Sequence, residues 1–117
     1  VGAATAAKFL KARLGEEVMN QTIYAYISDG GVQEEISQGA GRIAGALGLD
    51  NLIMFYDAND IQLSTETKDV TIEDTAKKYE AWGWKVIKID GNDADAIRGA
   101  KSVRQSKKHR LKKNARR

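Results

Sequence analysis

Polar residues follow directly after two apolar runs of the chain, at Ser28-Asp29 and at Asp57-Ala58-Asn59. Two glycines come after the first of these aspartates, and glycine lets a backbone approach a ligand closely. Carboxylate and amide oxygens suit Mg²⁺ or Ca²⁺, and phosphate oxygens and water usually complete the coordination of Mg²⁺. The spacing fits a metal-bound phosphate. On spacing alone, a pair of ordinary turns is the more common explanation, because Asp and Asn favour loop starts.

The elements around these residues alternate as in an α/β domain, with a parallel sheet and flanking helices. Apolar and β-branched runs predict three strands, over residues 22–28, 51–57 and 84–90. Helical spacing and capping residues predict four helices, over residues 1–14, 33–49 and 72–83 and from residue 94 onward. The second strand is a continuous apolar run and is expected to be more buried than the first. Ligands bind at the carboxyl ends of such strands, so Asp29 and Asn59 meet if their strands are neighbours.

The helix predicted over residues 33–49 places three large apolar side chains on one face, those of Ile36, Ile43 and Leu47. It also contains three glycines that each cost about 1 kcal/mol relative to alanine, namely Gly39, Gly41 and Gly45. Close packing against another backbone is the expected compensation. Thr71 and Asp74 resemble a capping box at the start of the following helix.

The composition is that of a small globular chain with an uneven distribution of charge. Its 117 residues are 42% hydrophobic and include no cysteine, which excludes disulfides, thiol catalysis and thiolate zinc sites. No apolar run approaches the ~18 residues of a membrane span and no signal peptide is present, so we expect a cytoplasmic protein without a membrane partner. Residues 1–100 hold ten basic against sixteen acidic residues, whereas residues 101–117 hold nine basic residues and no acid.

Longer blocks of the sequence resemble a known family. SDGG, with ND thirty residues after its aspartate, resembles the thiamine-diphosphate fingerprint Gly-Asp-Gly followed by Asn. EEISQGAGRIAGALGLDNLIMFYDANDIQLS and YEAWGWKVIKIDGND resemble the N-terminal, thiamine-diphosphate-binding domain of transketolases. The resemblance covers about residues 1–100, which predicts a partial domain of this family there and a separate basic tail over residues 101–117.

The resemblance implies a role for particular residues of the two polar stretches. Asp29 and the Asn59 side chain are the implied ligands of Mg²⁺ or Ca²⁺, with the Ile61 carbonyl as a third ligand. The Gly30 backbone N–H is expected to contact the diphosphate of thiamine diphosphate. Glu34 matches an acidic residue of the subunit interface that links the two cofactors of a dimer.

One position departs from the fingerprint, because Ser28 stands where the family has its first glycine. Its Cβ could crowd the turn, or its hydroxyl could add a hydrogen-bond donor.

The implied parent enzyme is a homodimer that transfers a two-carbon ketol unit between sugar phosphates in the pentose phosphate pathway. We expect the chain to be a fragment that is inactive alone, because the family's catalytic glutamate comes from another domain. No catalytic residue is assigned, and the one histidine, His109, matches none of the family's channel histidines. We also expect some of Tyr79, Trp82 and Trp84 to be unusually exposed, because their packing partners in the family would be missing.

The basic tail over residues 101–117 suggests an alternative function, that of a nucleic-acid-binding protein rather than an enzyme. Its lysines and arginines could bind RNA phosphates, as in a small RNA- or ribosome-associated protein. A solvated, partly helical charge run is the simpler explanation, since no aromatic residue is interleaved for base stacking.

Overall fold

The structure, a computed structural model, describes residues 1–62 and 65–100. Its elements follow in the order α1 (Gly2–Leu14), β1 (Ile23–Ser28), α2 (Asp29–Gln33), α3 (Glu35–Ala46), β2 (Leu52–Asp57), a short 3-10 helix (Thr67–Asp69) and α4 (Thr75–Ala81). Residues 94–100 are also helical. The described residues divide into two compact units, residues 1–85 and 86–100. The basic tail and His109 lie outside the described residues, among which no helix is long and apolar enough to cross a bilayer.

Strands β1 and β2 form a parallel sheet. Their register runs from the pair Ile23 and Leu52 to the pair Ser28 and Asp57, so both strands end at the same edge. Side chains of β1 alternate between partly buried and exposed, whereas those of β2 are all partly buried until Asp57. The α/β class, the parallel pairing and the deeper burial of the second strand are therefore confirmed.

The predicted third strand is wrong. Residues 84–90 form no strand in the described part of the chain, where the sheet has two strands. A strand exists through hydrogen bonds to a neighbour, and β-branched composition expresses only a tendency toward that pairing.

The helix expected from residue 94 is present, and Asp93 caps it by accepting bonds from the N–H groups of Asp95 (2.9 Å) and Ala96 (3.0 Å).

The core of the first unit lies on one face of the sheet, under α1 and α3. Its buried and partly buried apolar residues come from both helices, both strands and the adjoining loops: Ala4, Ala44, Leu49, Ile23, Leu52 and Trp84. The buried Asn51 side chain donates a hydrogen bond to the Ala4 carbonyl (2.9 Å), which fixes α1 to the start of β2. Helix α1 ends at Gly15, whose φ of 89° favours glycine, as expected.

The helix predicted over residues 33–49 is confirmed as the shorter helix α3 (Glu35–Ala46), and the separate short helix α2 precedes it. Glu34 has an extended backbone (ψ 134°) that separates α2 from α3. The face of α3 that packs is the one made of small residues, with Gly41 and Ala44 buried. The expected apolar face is largely exposed: the exposed fractions are 88% for Ile36 and 54% for both Ile43 and Leu47. Large side chains on the packing face would prevent the close backbone approach that the glycines permit.

Helix α4 begins later than the predicted capping box. Asp74 caps it by accepting a bond from the Lys77 N–H (3.0 Å), whereas Thr71 accepts one from Glu73 within the preceding turn. The residue that caps α4 is therefore Asp74, because its side chain reaches an N–H of the first turn.

Three aromatic residues pack together at the end of α4: Tyr79 within the helix, and Trp82 and Trp84 just after it. The ring of Tyr79 lies 5.0 Å from that of Trp82 and 5.5 Å from that of Trp84, measured between centroids. Tyr79 is 4% exposed, and neither tryptophan is among the exposed large residues of the described chain. The expectation that these rings would be unusually exposed is wrong, because α3 covers them: the indole N–H of Trp84 donates to the Gly41 carbonyl (2.8 Å).

Candidate functional site

Asp29 is a buried carboxylate at the carboxyl edge of the sheet. It is the first residue of α2, directly after β1, and only 1% of it is exposed. The Tyr56 hydroxyl donates to its Oδ1, and the backbone N–H groups of Asn59 (3.0 Å) and Asp60 (2.9 Å) donate to its Oδ2. These three bonds offset the cost of burying a charge. They also bring Asp29 and the backbone of Asn59 together, as the strand ends predict.

Tyr56 was not identified as a site residue from the sequence. Burial, first, and then the hydrogen bond to Asp29 raise the pKa of Tyr56 to about 12, while a hydrogen bond with Thr75 acts in the opposite direction. The phenol therefore remains protonated at neutral pH and donates to the carboxylate. Its position in β2 could have identified it from the sequence. Tyr56 pairs with Ile27, and Ile27 precedes Asp29 by two positions.

The loop after β2 is a tight turn built around Asn59. The Asn59 Oδ1 accepts a bond from the Ile61 N–H (3.1 Å), and its Nδ2 donates to the Asp57 carboxylate (3.5 Å). Asp60 has a φ of 62°, in the left-handed region that Asp tolerates better than most residues. Asn59 thus forms the turn, and its amide oxygen keeps a second lone pair that could bind a metal ion.

The junction between β1 and α2 accommodates Ser28 without strain. Its backbone is extended (φ −103°, ψ 176°), which any residue adopts, and its hydroxyl accepts a long bond from the Gly31 N–H (3.5 Å). Space beside Gly30 is open, because a Cβ there would have only the Gln62 Oε1 within 4 Å, at 4.0 Å. The serine therefore serves as a helix cap, and the backbone beside it can be approached by a ligand.

The other two expected site residues lie at the margin of this group. Glu34 occupies the cap position of α3, where its exposed side chain accepts no hydrogen bond from the helix. Ile61 is 67% exposed and lies two residues beyond Asn59, with an isolated bridge to Glu66. The described contacts join Asp29 to the loop after β2 and leave Glu34 outside that hydrogen-bonded group.

The chemistry of these groups limits the kind of metal site they could form. Among the described residues there is no cluster of three or more histidine, aspartate or glutamate side chains that could hold a metal ion. The candidate ligands are three: one carboxylate, one amide oxygen and one backbone carbonyl. All are oxygen ligands, which hard cations prefer, and three are too few to complete the coordination of such an ion. They suit Mg²⁺ or Ca²⁺ whose coordination is completed by phosphate oxygens and water, so the residues present fit a metal-bound diphosphate.

Comparison with known proteins identifies the class of this domain. The family model described as "Transketolase, thiamine diphosphate binding domain" matches residues 1–113. The match includes most of the basic segment that composition sets apart. The chain belongs to the transketolase family.

Individual relatives agree with this assignment. The chain is 42% identical to transketolase 1 of Aliivibrio fischeri over 104 residues, covering 86% of this chain and 16% of that protein. It is 40% identical to transketolase 2 of Escherichia coli over 112 residues, covering 92% and 17%. The solved transketolase of Campylobacter jejuni superposes with a TM-score of 0.83 at 35% identity, covering 86% of this chain and 16% of that one. The chain thus spans about a sixth of the length of these relatives.

Proposed function

We propose that this chain forms the metal- and diphosphate-binding part of the thiamine diphosphate site of a transketolase. The observation that carries the proposal is the buried Asp29 carboxylate at the carboxyl edge of the sheet. It accepts hydrogen bonds from two backbone N–H groups of the loop after β2. Asp29, the Asn59 side chain and the Ile61 carbonyl would hold Mg²⁺ or Ca²⁺. The ion would neutralise the diphosphate that these residues face.

Gly30 and Glu34 complete the proposed contacts. The open space beside Gly30 supports an approach of the diphosphate to its backbone N–H. Glu34, exposed at the start of α3, would belong to the subunit interface of a homodimer. Thiamine diphosphate, when bound, supplies the carbon centre at which ketol transfer takes place. The residues of this chain bind and orient its diphosphate end.

The activity of the whole enzyme is part of the same proposal. It would transfer a two-carbon ketol unit between sugar phosphates, within the pentose phosphate pathway and in the cytoplasm. The chain spans about a sixth of its relatives and has no assigned catalytic residue, so we propose that it is inactive alone.

Binding of Mg²⁺ and inorganic pyrophosphate tests the metal and diphosphate roles. In a ¹⁵N-labelled chain, the amide signals of Gly30 and of residues 59–61 should shift as both ligands are added at millimolar concentration. Asp29→Asn and Asn59→Ala should each weaken this binding about tenfold or more. Asp50→Asn is the matched control, because Asp50 pairs with Lys8 on the surface and its side chain is 70% exposed.

Circular dichroism of each variant shows whether it is folded. Asn59 is exposed, so its variant tests the metal role even if Asp29→Asn unfolds. Wild-type affinity in a folded Asn59→Ala and in a folded Asp29→Asn would show that these residues only form turns.

RNA binding through residues 101–117 is the second candidate, and it rests on charge alone. Its test is the salt dependence of binding to a single-stranded RNA: affinity that falls steeply with salt would support it.

A further inference from the structure

The hydrogen bonds of Asp29 determine which of its oxygens can accept a further partner. An ionised carboxylate has about four acceptor positions, two on each oxygen. The N–H groups of Asn59 and Asp60 both donate to Oδ2 and fill its two positions. The Tyr56 hydroxyl donates to Oδ1 and leaves one position there.

The Tyr56 hydroxyl is held firmly as a donor. Tyr56 lies in β2, is partly buried, and pairs with Ile27 across the sheet. Its hydroxyl donates to the Asp29 carboxylate across the carboxyl edge of the sheet. The phenol therefore connects Asp29 to β2 and, together with the two N–H donors to Oδ2, fixes the orientation of the carboxylate.

We propose that Tyr56 is a positioning residue for the metal ion, which binds Asp29 through the remaining acceptor position of Oδ1 alone. The inference rests on the function proposed above. Asp29 is then a monodentate ligand, because both positions of Oδ2 are taken by backbone N–H groups. Removing the Tyr56 hydroxyl leaves the ligands and the two N–H bonds to Oδ2 in place, but Oδ1 loses the donor that fixes its position. Groups that orient a metal ligand typically contribute 10–100-fold to metal affinity.

A pair of tyrosine variants separates positioning from structural support. Tyr56→Phe and Tyr79→Phe each remove one hydroxyl from a tyrosine that is at least partly buried, but Tyr79 belongs to the aromatic group beside α3. Mg²⁺ affinity is measured by amide shifts in the presence of inorganic pyrophosphate. We expect it to fall about 10–100-fold in Tyr56→Phe and to change less than about twofold in Tyr79→Phe. Unfolding by urea is recorded for both variants.

A spectroscopic signature tests the binding mode directly. In a chain with ¹³C-labelled aspartate, the Asp29 carboxyl signal should respond to Mg²⁺ with pyrophosphate in the wild type and respond more weakly at the same concentration in Tyr56→Phe. The Asp50 carboxyl signal should not respond in either chain.

The outcomes separate this inference from the proposed function. Wild-type Mg²⁺ affinity in Tyr56→Phe, together with lost affinity in Asn59→Ala, overturns the positioning role and leaves the metal site. Equal loss of affinity in Tyr56→Phe and Tyr79→Phe also overturns it, because a general loss of stability then explains both. No response of the wild-type chain to millimolar Mg²⁺ and pyrophosphate overturns both proposals.

Discussion

Gly45 in α3 packs directly against the carbonyl group of Trp82: a Cβ added to Gly45 would lie 1.9 Å from that oxygen. A Cβ added to Gly41, one turn earlier, would lie 3.1–3.3 Å from side-chain atoms of Tyr79 and Trp82. A Cβ at Gly39 would meet no atom within 4 Å. The close backbone packing expected for the helix glycines is therefore confirmed for Gly45, while Gly41 packs against rings and Gly39 has no such contact.

Alanine at these positions should have opposite effects on stability. Gly45→Ala should lower the free energy of unfolding by about 1–3 kcal/mol or more, because α3 must move away from the Trp82 carbonyl. Gly39→Ala should raise it by up to about 1 kcal/mol through helix propensity. Urea unfolding of both variants provides the measurement. A Gly45→Ala chain as stable as the wild type would contradict the packing.

The stability of the chain should fall at alkaline pH in part because of Tyr79. Burial raises the pKa of Tyr79 above its ordinary value of 10.0. The folded chain thus keeps the phenol proton where the unfolded chain loses it, so this contribution to stability is complete below pH 10 and declines as the pH rises further. Thermal melts at pH 8 and 11 should show a larger loss in the wild type than in Tyr79→Phe. Equal losses would mean that Tyr79 titrates normally.

Restoring the fingerprint glycine at position 28 should change little. The Ser28 backbone is unstrained, and its cap bond to the Gly31 N–H is long at 3.5 Å. Ser28→Gly should therefore alter the free energy of unfolding by only a few tenths of a kcal/mol, and Ser28→Ala should lower it by about 0.5 kcal/mol or slightly more. Binding of Mg²⁺ and pyrophosphate should be retained in both. A loss above about 2 kcal/mol in Ser28→Gly would show that the cap matters more than its geometry indicates.

Thiamine diphosphate itself should bind only weakly to this chain. The proposed contacts hold its diphosphate end, and no described residue is assigned to its ring system. Calorimetry with thiamine diphosphate and Mg²⁺ should give an affinity close to that for pyrophosphate and Mg²⁺. Low-micromolar affinity for the cofactor would show that the chain holds much more of the site.

The chain should also self-associate and unfold over a broad range. The exposed fraction is 50% for Tyr24 and 80% for Tyr26, and both rings stack on Phe55 on one face of the sheet. Exposed apolar surface of this kind favours association. Sedimentation should show a smaller associated fraction in the double variant Tyr24→Thr and Tyr26→Thr than in Ile72→Thr, which removes one exposed residue elsewhere. A monomeric wild type with a sharp melt would contradict this expectation.

Local sequence patterns were sufficient to predict the two paired strands, the end of α1 at Gly15 and the meeting of Asp29 with the loop of Asn59. Period, turn residues and the rule that parallel strands end at one edge determine those features. The resemblance of longer blocks, rather than any single spacing, was sufficient to predict the family.

The features that were missed depend on contacts between distant segments. No local signal shows that Tyr56 reaches Asp29 or that the small face of α3, rather than Ile36 and Ile43, meets Trp82. The short helix α2 and the extended Glu34 that separates it from α3 were also not predicted. Propensity predicted a strand over residues 84–90 because it cannot register whether a neighbour is there to pair with.

The hydrogen bonds of Asp29 with Asn59 and Asp60 join positions 30 and 31 residues apart. During folding, closing a loop of this length must precede those bonds, whereas α1 and α3 can form from local contacts. We therefore expect the cluster around Asp29 to form in the same step that aligns β1 with β2. Ligand added during refolding should therefore leave the rate of helix formation unchanged, because its binding site does not yet exist at that stage.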